Sequence, residues 1–119
     1  MTFQRGEIVL ASLPFTDLSG AKLRPALVVQ CDHNNRKLDD VILALITKTV
    51  HRASHSPTQV LIDLATPEGA AAGLLHTSVV KCEHLITLHR TLLTRVIGAM
   101  PAPLMQKIDE CLKFLLQLS

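Results

Sequence analysis

The stretch GEIVLASLPFTDLSGAKLRPALVVQ, residues 6 to 30, decides how the rest of the chain is read. Glu7 to Leu13 is a run of aliphatic and β-branched residues with no helix cap, and it stops at Pro14, which predicts a first strand. Asp17, Ser19 and Gly20 then supply turn chemistry, so PFTDLSGAKL is a predicted loop. Pro25 biases Arg24 towards an extended backbone and has no N–H of its own, which suits the start of a second strand, PALVVQ. On this reading Arg24 is the last loop residue before the sheet.

The same logic runs outward along the chain. CDHNNRKLDD is polar and turn-like; VILALITKTV (Val41 to Val50) is a third strand that turns polar at Thr47; HRASHSP is a basic loop; and TQVLIDL is a fourth strand. ATPEGAAAGLLH, from Ala65 to His76, is small and Gly-containing, a loop or a short turn of helix. SVVKCE (Ser78 to Glu83) and LITL (Leu85 to Leu88) are predicted as two further strands, and a link containing Arg90 and Arg95 reaches VIGAM. The final segment changes period. Leu104, Ile108, Cys111, Leu112, Leu115 and Leu116 recur at helical spacing, with Pro103 in the first turn. Short strands followed by one amphipathic helix, without βαβ alternation, predict a mainly β (α+β) fold, a small antiparallel barrel with a C-terminal helix packed on it.

Length agrees with one domain over residues 1–119. Hydrophobic residues make up 48% of the chain, yet only Phe3, Phe15 and Phe114 are aromatic, so the core must be aliphatic. No apolar run approaches the ~20 residues that span a bilayer, and MTFQRGEIVL lacks the layout of a signal peptide. The expectation is a cytoplasmic protein with no membrane partner. Cys31, Cys82 and Cys111 are odd in number and widely spaced, which predicts reduced, mostly buried thiols and no disulfide framework.

Charge is uneven. Lys22, Arg24, Arg36, Lys37, Lys48 and Arg52 lie between positions 22 and 52 against only Asp32, Asp39 and Asp40. Such a local excess suits either a phosphate backbone or an ordinary solvated face. The P-loop, G-x-G-x-x-G, H-E-x-x-H and G-x-S-x-G patterns are all missing. His51 and His55 are four apart but fall in a predicted loop, where that spacing gives no shared face, and no second ligand pair completes four-coordination, so no metal site is assigned. Asp39 and Asp40, as neighbours in extended chain, point to opposite faces and read as a solvated turn.

Arg24 and Thr47 both stand at junctions of polar loop and apolar strand. In a small barrel such ends can share one rim, where a guanidinium fork and a hydroxyl would meet a phosphate. Taken alone, each has an ordinary reading too: a strand-edge cation, and a threonine chosen for β-propensity.

Residues 6 to 30 also resemble the N-terminal signature of the MazF/PemK family of toxin endoribonucleases, an Arg-Pro opening an aliphatic strand after a Pro-Phe-Thr loop. ITK (Ile46 to Lys48) resembles the end of that family's third strand, and GLLHTSVVKCEHLITL its later Ser-Val-Val block. The resemblance implies an SH3-like barrel, a homodimer with a groove for single-stranded RNA, and metal-independent, sequence-specific cleavage through the ribose 2′-hydroxyl with no cofactor. It further implies the toxin half of a type II toxin–antitoxin pair, with a cognate antitoxin whose C-terminal segment covers the groove.

By the same resemblance Arg24 and Thr47 are the catalytic residues. Lys81 and Glu83 stand where relatives carry a catalytic Arg and an Asp; the resemblance assigns no general base, for which Glu83 and Asp17 are the candidates. Phe15, Thr16, Ser19, Lys22, Lys48, Thr49 and Arg52 are the expected RNA contacts. Lys81 departs from the family's arginine, since a point charge is not a planar fork. Two other function classes fit the fold: a CcdB-like gyrase poison, and an inactive module that binds RNA or protein.

Overall fold

A computed structural model describes residues 2–14, 19–50 and 56–119. Strand β1 (Glu7–Pro14) forms an antiparallel hairpin with β2 (Ala21–Val28). Helix α1 (Asp32–Lys37) leads to β3 (Asp40–Thr47); β4 (Gln59–Ile62) and the single turn α2 (Pro67–Ala70) come next. Strand β5 (Ser78–His89) is followed by a 3-10 turn over Arg90–Leu92, then β6 (Leu93–Ala99) and helix α3 (Ala102–Leu116). Among the described residues, six strands join one antiparallel sheet in the order β4-β5-β3-β2-β1-β6. The mainly β fold with a terminal helix is as expected, but the sheet is not closed, because β4 and β6 do not pair.

Period-two alternation sorts the strand residues into two cores. Ile8, Leu27, Ala44, Ile46, Val60, Ile62, Val80 and Cys82 meet Leu104, Ile108 and Cys111 of α3 in the first. Covering each large aliphatic chain here stabilises the fold by about 1.5–3 kcal/mol. The apolar stripe of α3 therefore packs on its own sheet, although Leu116, assigned to that stripe by spacing, is exposed. Phe3, Val9, Ala11, Leu13, Ala26, Val28, Val41, Leu43, Leu88 and Leu93 form the second core, none more than 8% exposed. Leu88 belongs to β5 and Leu93 to the edge strand β6, so the sheet curls to bury this face as a barrel does.

Three local expectations are corrected. Strand β2 begins at Ala21, so Arg24 is a strand residue opposite Ala11 and not the last residue of a loop. Pro25 is tolerated there because the ladder to β3 starts only at Ala26, leaving β2 paired on one side up to that point. Residues 32–37, read as a turn, are helical. That helix has no apolar stripe; buried Asn35 instead exchanges hydrogen bonds with Gln30, whose amide also donates to the Asp40 carbonyl.

The two strands predicted over 78–88 are one, interrupted by a bulge where Leu45 pairs with Lys81 but Ala44 with Leu85. The bulge absorbs the polar Glu83–His84 step that made the sequence look broken. The cysteines are mostly buried free thiols as expected: Cys82 and Cys111 are buried, and Cys31 is exposed. Smaller differences are in length: β3 ends at Thr47, β4 spans only Gln59–Ile62, and β6 starts at Leu93.

Candidate active site

The ladder between β2 and β3 covers only Ala26–Val28 against Leu43–Leu45. Beyond it the strands part, and Lys22, Leu23, Arg24 and Pro25 face Ile46, Thr47 and Lys48 across a pocket of about 270 Å³. Leu10 and Ile97 also line it, and Leu74, Leu75, His76 and Ser78 add a further wall. Extending the Ala26–Leu45 register by two residues in each strand brings Arg24 level with Thr47, and alternation gives both the same face. The rim expected for these two residues is thus present, formed by two strands that diverge.

Electrostatics give the pocket a sign. Its described lining holds Lys22, Arg24 and Lys48 and no aspartate or glutamate. These three cations are exposed and make no ion pair or hydrogen bond with the described residues. Like charges left unpaired around one cavity favour an anion in it. Thr47 Oγ1 accepts a hydrogen bond from the Thr49 N–H at 3.2 Å, which orients the hydroxyl and leaves its proton free to donate. Buried Ser78 is occupied locally, its hydroxyl donating to the His76 carbonyl at 2.8 Å.

Other predicted residues lie elsewhere. Lys81 does not line the pocket; it is half-buried and pairs with Leu45, two residues along β3 from Thr47, which puts it roughly 7 Å further down the same face. Glu83 is turned towards β4, where its carboxylate accepts from Gln59 Nε2 at 2.7 Å and from the Thr58 hydroxyl at 3.3 Å. Partial burial pushes the Glu83 pKa up, but those hydrogen bonds, a backbone N–H and the Lys81 charge outweigh it and hold the carboxyl below its ordinary value. Such a carboxylate is a poorer proton acceptor. Ser19 and Thr49 are exposed near the ends of the strands that bear Lys22 and Thr47. Phe15, Thr16, Asp17 and Arg52, with His51 and His55, lie outside the described residues.

Sequence reasoning passed over His76 and Ser78. Nothing local to GLLHTS marks them; a lone histidine after two leucines has no motif, and only the seating of that segment against β6 carries it to the pocket.

The family model described as PemK-like, MazF-like toxin of type II toxin–antitoxin system matches residues 4–116. The chain is 37% identical over 120 residues to the endoribonuclease MazF6 of Mycobacterium tuberculosis, covering 99% of this chain and all of that one. To the endoribonuclease EndoA of Bacillus subtilis it is 33% identical over 119 residues, 99% of this chain and 97% of the relative. Among solved structures, a mycobacterial endoribonuclease in complex with its cognate antitoxin superposes with a TM-score of 0.80 at 25% identity, over 98% of this chain and 97% of the other.

Proposed function

Because the chain belongs to the PemK-like, MazF-like toxins of type II toxin–antitoxin systems, and is an endoribonuclease, we propose that the pocket between β2 and β3 is where it cuts single-stranded RNA, with Arg24 and Thr47 as its catalytic residues. One observation carries this reading: an open pocket between diverging strands, lined by three cations and no described carboxylate, whose walls include both a guanidinium, Arg24, and a hydroxyl, Thr47. The scissile phosphodiester sits over Arg24, whose planar fork holds two non-bridging oxygens. Attack by the ribose 2′-hydroxyl adds negative charge to those oxygens, and Arg24 stabilises the transition state more than the ground state. Thr47 donates its hydroxyl proton as a hydrogen bond to the same phosphate. The products are a cyclic phosphate and a free 5′-hydroxyl.

Lys22 and Lys48 hold flanking phosphates, with Ser19 and Thr49 beside them and Lys81 further along the face; Phe15, Thr16 and Arg52 complete the track. No metal or cofactor takes part. The protein acts in the cytoplasm as a homodimer, with exposed Phe114, Leu116 and Leu118 at the end of α3 and a free sheet edge as pairing surfaces. The cognate antitoxin inhibits it by laying a C-terminal segment over the cationic pocket. Among the described residues, no helix is long and apolar enough to cross a membrane.

The test is cleavage of a long single-stranded transcript by the purified protein in EDTA, with the cut ends mapped. Discrete cuts bearing a 5′-hydroxyl are expected. Arg24→Ala should slow them by at least about 10²–10³-fold, the scale of losing one charge-stabilising donor, while thermal unfolding is unchanged. Retention of RNA without cleavage would mark a binding module instead. Light scattering should give about 26 kDa, twice the 13.0 kDa chain.

A further inference from the structure

The reaction needs a group to take the proton of the attacking 2′-hydroxyl, and the described lining of the pocket holds few. Lysine and arginine are donors only, and the hydroxyls of Thr47 and Ser78 are weak acceptors already engaged. Glu83 faces Gln59 and Thr58 on the far side of β5 from β3, hydrogen-bonded to both. That leaves His76. Imidazole is the side chain that both accepts and releases protons near neutrality.

His76 is exposed, and its ring makes no hydrogen bond or ion pair with the described residues. Its backbone, by contrast, is held on several sides. Ser78, only 3% exposed, donates to the His76 carbonyl, and the adjacent Thr77 hydroxyl accepts from the Leu64 N–H at 3.1 Å. Just upstream, Gly73 and Gly98 let the segment sit directly on β6. A Cβ on Gly98 would lie 1.9 Å from the Ala72 carbonyl oxygen; one on Gly73, at φ +91°, would lie 2.7 Å from that of Ile97. The ring is therefore available at the pocket wall, on a backbone held by Ser78 and Thr77.

We propose that His76 is the general base of RNA cleavage by this chain. The inference rests on the functional reading above. Neutral His76 takes the proton of the 2′-hydroxyl; the 2′-oxygen–phosphorus bond forms as the phosphorus–5′-oxygen bond breaks, and the departing 5′-oxygen takes a proton from water. Arg24 holds the non-bridging oxygens throughout. His76 then releases its proton to solvent through the open mouth of the pocket.

The experiment measures initial rates from about pH 5 to 8 on a single-stranded oligoribonucleotide spanning a mapped cut, for the wild-type protein, His76→Asn, His76→Gln and Arg24→Ala. The wild-type rate should rise with pH through the lower part of that range. Both His76 variants should lose about 10²–10⁴-fold in kcat with little change in KM and no acid limb, and added imidazole should restore part of the rate to His76→Asn. Unfolding curves matching the wild type exclude a merely structural loss, and two variants guard against one that misfolds. A wild-type kcat and pH profile in both variants would overturn the assignment, as would a reduced kcat with the acid limb intact. If Arg24→Ala is dead while the His76 variants behave as wild type, the nuclease site stands and only this role falls; if the wild-type protein cuts nothing, both fall.

Discussion

Thr47 illustrates how a single residue can be fixed in orientation while its reactive atom stays available. The Thr49 N–H occupies one lone pair of its oxygen, and the proton is left for a phosphate. Thr47→Ser should keep RNA cleavage within about threefold, whereas Thr47→Ala should lose about 10- to 100-fold, the value of one hydrogen bond to a charged group, read as kcat on a fixed oligoribonucleotide. Asp32 bears on stability instead. The Arg5 backbone N–H donates to it at 2.7 Å and is the main reason its carboxyl titrates below the ordinary value, with Asn35 adding a weaker bond. Since the folded carboxyl gives up its proton more readily than the unfolded one, its stabilising effect is present above about pH 4 and fades as acid reaches the lower folded value. Asp32→Asn should therefore unfold earlier than wild type in urea at pH 7, with the gap closing towards pH 3. That Arg24 and Thr47 line one pocket agrees with the rim expected from the sequence, although Arg24 lies inside β2 and not at its junction with a loop; the roles proposed for them come from the family resemblance. His76 was not legible in the sequence, because its meaning depends on what lies across from it.

At the level of elements, the aliphatic, β-branched run of Glu7 to Leu13 and the helical spacing of 104–115 were readable, since a strand buried on both faces reads as a continuous apolar run and a helix buried on one face as a stripe. Helix α1 was hidden because a buried amide pair, Gln30 with Asn35, holds it in place of an apolar stripe. The bulge in β5 was hidden for a related reason: a register shift is a relation between two strands, and only β3 reveals it. The contact of Gly98 with Ala72 and Gly73 is the joint that sets one wall of the pocket against β6. The blocking atoms there are backbone, so they cannot swing aside. Gly98→Ala should cost at least about 1–3 kcal/mol, the usual scale of overpacking, seen as an earlier chemical-denaturation midpoint. RNA cleavage should fall as well, because the segment carrying Leu74 to His76 must shift.

Across the whole molecule, the two cores divide the work. The first, capped by α3, and the second, enclosed by the curl of the sheet, leave the divergent ends of β2 and β3 as an opening. The cysteines report on this partition. Burial, then the nearby Cys111 and Glu83, push the Cys82 thiol up to about 12, and burial likewise raises Cys111, whereas Cys31 is exposed. A thiol-alkylating reagent at pH 8 should label Cys31 alone in the native protein and all three cysteines in denaturant, as counted by mass spectrometry. Chain order and side-chain periodicity by themselves determined the strands, the terminal helix, the aliphatic core and the family likeness, because each is carried by residues near one another along the backbone. Only the tertiary structure decided that Arg24, Thr47 and His76 share a cavity while Glu83 does not. Which charges meet depends on strand register, a bulge and two glycines in contact, and these are distances between segments that no local pattern encodes.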